Sequence, residues 1–321
     1  MNNFKKIGMT ALAASLVSTS VFAGELTASG SASLTVEGYS GSVLQSNTAY
    51  SMADSVTLSG STELDNGMTV SMSFELDGAS ESSDGQSAYD DNSMTISSDA
   101  MGTLKFSAHG GSSATSAIDK TAAGNIFDNF DGTSLGVTGV ADGSAAAGDD
   151  SFHYTLPAMA DGLALMASLN TEGATGNNAL GLATTYSGVE GLSVSYGVSE
   201  INTGLATTAG DQTVMKASYA YGSVTLGYSS NEIDLGAGSS DKITTSWGLS
   251  YTVSDAMSVT YGTETIDLSG ATDAEYEGLT ASYTAGGMTM SLTTQDAKNI
   301  DNTIDDDNDF DYWALGLSFA F

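Results

Sequence analysis

Between Tyr312 and Phe321 the chain alternates between two characters with a period of two. Trp313, Leu315, Leu317, Phe319 and Phe321 take one parity; Tyr312, Ala314, Gly316, Ser318 and Ala320 take the other. Successive side chains of a strand point to opposite faces, so this segment has one greasy face and one small, mild face. A soluble edge strand with such a face needs a cover, whereas a strand set between lipid and water needs the face itself. The alternation recurs along the chain. Leu26 to Val36, Met68 to Leu76, Leu192 to Val198 and Ile243 to Tyr251 each set apolar residues on one parity and Ser, Thr, Gly or Glu on the other. Strands that cross a bilayer need about 9–11 residues of this kind.

Short breaks punctuate the pattern at 65–67, 98–102, 157–162, 187–191, 222–223, 252–256 and 285–287, several with the Gly or Asn-Gly that positive φ demands. Between them lie longer polar loops, roughly 38–49, 77–90, 110–150, 171–178, 200–212, 230–242, 263–275 and 296–310. Seven turns and eight loops join sixteen strands, an even number, as a closed antiparallel barrel requires. Tyr186, Tyr221, Tyr251 and Tyr283 each stand at an outward position shortly before a turn, which predicts an aromatic belt at the turn-side membrane interface. A β-solenoid would show a fixed sequence repeat, and none is found. A soluble sandwich would not carry a greasy face over sixteen strands.

Residues 1–23 read as a secretory signal peptide: Lys5 and Lys6 start it, Ile7 to Val21 is largely apolar, and Val21-Phe22-Ala23 is a small-residue cleavage site. The barrel is then 24–321. No later segment reads as a membrane helix, so crossing falls to strands. Cysteine is absent, which removes disulfides and thiol chemistry. The formal net charge is −32, from 39 acidic residues against seven lysines and no arginine. Such a chain repels nucleic acid. Disorder, the common reading of high acidity, is excluded by a 40% hydrophobic content that is periodic.

Sixteen strands enclose water, unlike eight, which fill themselves with side chains. The loop at 110–150, between the fifth and sixth strands, is about three times longer than the others, and a segment of that size usually has a function. Together with the leader, the strand count and the terminal Phe321, it resembles the general porins of the alphaproteobacterial kind. That resemblance implies an all-β, 16-stranded antiparallel transmembrane barrel in the Gram-negative outer membrane, with a third long loop folded inward as an eyelet. It also implies a homotrimer, contact with lipid and lipopolysaccharide, and recognition of the terminal strand by the barrel-insertion machinery.

By the same resemblance, carboxylates on the loop face basic residues on the wall. The loop offers Asp119, Asp128, Asp131, Asp142, Asp149 and Asp150, and Phe127-Asp128-Asn129-Phe130-Asp131-Gly132 carries two aromatics to pin it and two acids to face the hole. Asp119, Asp128 and Asp131 are the expected constriction acids. Such porins usually set an arginine cluster opposite; here the inward candidates are Lys105, His109, His153 and Lys216, so a weak transverse field is expected. Inward aromatics are expected to be few, Tyr276 and Tyr312 at most.

The two histidines raise the question of an outer-membrane enzyme. Hydrolysis would need one of them oriented by an acid beside an oxyanion site, and the preferred reading is pore-lining histidines and no enzyme. No cofactor or metal site is expected. Ca²⁺ or Mg²⁺ at the acidic loops (Asp301 to Asp311, or Asp77 to Asp91) stands second to a solvated acidic rim. Two functions remain: passive diffusion of small hydrophilic solutes, or a substrate-specific channel or acidic-loop adhesin. Acids are expected to be absent from the lipid face and to crowd the lumen, loops and mouths, giving a cation-preferring pore. Small outward residues on the first strand, such as Ala28, Gly30 and Ala32, are expected to allow close approach of a neighbouring barrel.

Overall fold

The computed structural model describes residues 26–41, 47–77, 90–118, 121–130, 150–172, 177–201, 210–234, 241–300, 302 and 309–321. The predicted leader, Asp119, Asp131, Asp142, Asp149 and most of the acidic stretch from Asp301 lie outside them. The strands in chain order are β1 (Leu26–Gly41), β2 (Asn47–Glu63), β3 (Thr69–Asp77), β4 (Asn92–Ser98), β5 (Gly102–His109), β6 (Ser151–Thr155), β7 (Leu163–Glu172) and β8 (Asn177–Tyr186). They continue as β9 (Leu192–Ile201), β10 (Gly210–Tyr221), β11 (Val224–Asp234), β12 (Lys242–Ser254), β13 (Met257–Leu268), β14 (Ala274–Ala285), β15 (Met288–Lys298) and β16 (Phe310–Ala320). Each pairs antiparallel with its neighbours in sequence, and β16 returns to β1, so the sheet is a closed barrel. All seven short connections fall where the sequence predicts them. The tightest, Gly222-Ser223 and Gly286-Gly287, open on residues with φ of 59° and 62°, a region that favours glycine.

The seam between the first and last strands is locked by aromatics over glycines. Phe321 and Gly30 exchange two backbone hydrogen bonds, at 2.8 and 3.0 Å. A methyl on Gly30 would strike the Phe321 ring, and one on Gly38 the Trp313 indole. The small outward residues of β1 therefore seat rings of the same chain, in addition to any role towards a neighbour. Covering a strand glycine with a cross-strand aromatic offsets the packing it lacks.

The strands extend further towards the loops than the apolar pattern does. β11 runs to Asp234 and β13 to Leu268, where loops were expected from about 230 and 263. Backbone pairing needs no apolar side chain, so hydropathy marks the membrane band and not the strand's end. This extension overturns one expectation. Acids are not absent from the outer face: Glu200, Asp211, Glu232, Asp267, Glu277, Asp296 and Asp311 are exposed on the same parity as Tyr196, Met215, Leu279 and Trp313. They form a collar at the loop-side edge of the apolar band, where a charge costs far less than at the midplane. At the opposite edge Tyr186, Tyr221, Tyr251 and Tyr283 are exposed beside the short turns, as expected.

Candidate functional site

The described residues of the long loop lie along the inner wall and touch it strand by strand. The Ser112 carbonyl is 3.5 Å from His153 Nδ1 on β6. The Ala114 amide donates to Ser168 Oγ on β7 at 2.8 Å. Thr115 Oγ1 stands 2.8 Å from Ser199 Oγ on β9 and 2.9 Å from Gln212 Oε1 on β10. Lys216 Nζ on β10 donates to the Thr121 carbonyl at 2.9 Å, and the Ala122 amide to Ser246 Oγ on β12 at 2.5 Å. Further on, the Phe127 amide donates to Glu264 Oε2 on β13, and Asn129 Nδ2 to Gln295 Oε1 on β15. Tyr39 on β1 completes the course by donating to the Asn129 carbonyl at 2.7 Å. The wall residues in this series share the parity opposite to the exposed apolar row, which is the inside of a closed barrel. The segment is a belt from β6 round to β1.

A row of glycines gives the belt its seat. Gly227, Gly248, Gly262 and Gly278 are direct partners across β11, β12, β13 and β14. A methyl on Gly248 would overlap the Ala122 carbonyl, and one on Gly262 would crowd Ala123. Missing side chains on four adjacent strands leave a shallow circumferential groove, filled by Ala122, Ala123 and the Ile126 side chain. Beyond the groove the belt is pinned by apolar contact. Phe127 and Phe130 are buried with Ile126 in a short 3₁₀ turn, among Ile266, Tyr276, Phe310 and Tyr312. Phe130 meets Tyr39, Tyr276 and Tyr312 at ring separations of 6.4, 5.9 and 6.2 Å, within the range of favourable aromatic pairs. Inward aromatics are thus more numerous than the sequence predicts, since Tyr39 and Phe310 join Tyr276 and Tyr312.

The expected constriction residues divide four ways. Asp119 and Asp131 are not among the described residues. Asp128 is exposed on the 3₁₀ turn that packs on β13, β14 and β15. Lys105 and His153 are direct cross-strand partners on β5 and β6, half-way round the barrel from that turn, with His109 at the loop end of β5. Lys216 bonds the belt's own backbone, so its charge lies behind the loop, not across from it. The sequence reading passed over Lys242, which is only 8% exposed on the inward parity of β12 because the strand begins where a loop was expected. It also passed over Glu264 and Gln212, fully buried under the belt; inward parity was the signal that could have found all three.

The model of the Gram-negative porin family matches residues 8–276, and the chain belongs to that family. It is an outer-membrane, multi-pass β-barrel. An anion-selective porin from Comamonas acidovorans is similar in fold, with a TM-score of 0.70 at 16% identity over 93% of this chain and all of the other. A mutant of the Rh. blastica porin gives 0.67 at 18% identity over 92% of this chain and all of that one. No curated protein sequence matches. Family and fold together define a diffusion channel.

Proposed function

We propose that the barrel passes small hydrophilic solutes and ions by passive diffusion, with preference for cations, through an opening bounded by the belt on one side and the β2–β6 wall on the other. The observation that carries this reading is the belt itself, which leaves Asp128 exposed opposite Lys105 and His153. Net charge supports the sign. With 39 acids against seven lysines and no arginine, a large excess of acid is left even when the outward collar is set aside. A low-dielectric hole lined by one sign concentrates counter-ions. Screening limits the effect: the Debye length is about 10 Å at 0.1 M salt and about 3 Å at 1 M, so preference is larger in dilute salt. The test is the reversal potential in a KCl gradient across a planar bilayer. A cation-selective potential that grows on dilution is expected; anion selectivity of the unmodified protein would overturn the reading.

We also propose a homotrimer. The outward acids cluster on β9–β16, while the outward rows of β1 and β3–β8 are apolar or small, a division that fits one arc against neighbouring barrels and one against lipid headgroups. A folded, detergent-solubilised particle of single-chain mass would contradict it.

A further inference from the structure

We infer that the inner wall of β1–β5 is a hydroxyl track that favours small uncharged polyhydroxylated solutes, such as linear polyols and monosaccharides. This rests on the diffusion-channel reading above. Thr27, Ser59, Ser73, Ser93, Ser107 and Ser151 are successive partners across six adjacent strands, so they form one row around the wall, of which the first four line open space and the last two are buried. A second row, Ser61, Ser71 and Thr95, runs beside it and ends on Lys105. Neighbouring strands are about 4.8 Å apart and same-face residues about 6.8 Å along a strand, so the two rows make a regular grid. Each hydroxyl is one donor and two acceptors. The pairs Thr27–Ser59 (2.7 Å) and Ser31–Ser55 (3.1 Å) bond each other and retain acceptor capacity towards the lumen.

Open space meets this grid: a cavity of about 470 Å³ is lined by Thr27, Ser59, Ser61, Ser71, Ser73 and Thr95, among others. The hydroxyls of the other arc have a different use, because Ser168, Ser199 and Ser246 bond the belt. Tyr39, Tyr276 and Tyr312 pack against Phe130, so these rings are not free as stacking platforms for larger sugars. What the track offers is a water-like surface on which a solute exchanges hydration for wall hydroxyls without a charge partner. A polyol matches it in every orientation. A polyether of equal size, which accepts but cannot donate, matches it less well, and an anion gains nothing to offset the chain's negative charge.

The test uses the whole protein in proteoliposomes, with swelling rates for D-arabinose and sorbitol against short ethylene glycol oligomers capped as methyl ethers at both ends, of matched hydrodynamic radius. The unmodified protein should pass the polyols faster by about threefold to tenfold, the scale of one hydrogen-bond difference. A variant combining Ser59→Ala, Ser71→Ala, Ser73→Ala and Thr95→Val should lose that preference, with KCl conductance used only to show that the folded barrel is still open. Equal rates for polyol and ether in the unmodified protein would overturn the inference, as would a folded variant that keeps the preference. Should the variant not fold, the unmodified protein still decides. Failure of the diffusion-channel reading looks different: no swelling with any solute and no KCl conductance.

Discussion

Two arcs of the same inner wall, built on the same alternation, do opposite things. From β7 round to β1 the inward positions at the level of the belt are glycines, buried amides, a buried glutamate and the hydroxyls of Ser168, Ser199 and Ser246, and they hold the belt. From β2 to β4 the inward hydroxyls Ser59, Ser61, Ser71, Ser73 and Thr95 line a cavity, with Lys105 and His153 beyond them on β5 and β6. Neither arc is more strand-like than the other. The difference lies in side-chain size: where four neighbouring strands drop to glycine a backbone can lie down on the sheet, and the inward positions of β2–β6 have no such row.

If that division is right, substitutions on the covered arc should cost stability and those on the open arc should not. Phe130→Ala should have the largest effect. It removes a buried ring from a cluster of aromatics, a loss of about 3–5 kcal/mol, read as a lower unfolding midpoint in detergent and faster hydrogen exchange at 126–130. Next is Gly248→Val, which forces the Ala122 carbonyl off the groove. Overpacking of this kind costs about 1–3 kcal/mol, and the displaced belt should change single-channel conductance in the same experiment. An unchanged conductance with a lowered midpoint would mean that the belt does not bound the opening.

Glu264→Leu is a finer test. It strips the Phe127 amide of its acceptor, a penalty of about 1–3 kcal/mol, and should speed hydrogen exchange at that amide before global unfolding. Asp128→Asn should shift the KCl reversal potential towards zero, since this carboxylate is exposed on the belt. Smallest of all, Ser73→Ala on the open arc should leave the unfolding midpoint within about 0.5 kcal/mol of the unmodified protein. A large loss there would erase the contrast between the arcs.

The barrel was legible because a period of two is a local property. Each strand announced its lipid face within its own residues, and Gly or Asn-Gly announced its turns. The strand ends towards the loops were less legible, as β11 and β13 show, since pairing continues past the apolar band into Asn231, Glu232 and Asp234 or Glu264 and Asp267. The same blind spot hid the acidic collar and Lys242. Phe127 and Phe130 could be named as pins for the loop through the family resemblance, but not what they would meet.

By itself the sequence determined the number of strands, the faces they show to lipid, the turn-side tyrosine belt and the sign of the charge. These follow from composition and alternation, which each segment carries independently. Only the tertiary structure decided the course of the belt, because Gly227, Gly248, Gly262 and Gly278 are far apart in the chain and become one groove through strand register. Register also put Lys105 beside His153, sent Lys216 behind the loop and set six hydroxyls from six strands in a single row. Those are relations between segments, and they exist only once the sheet has closed.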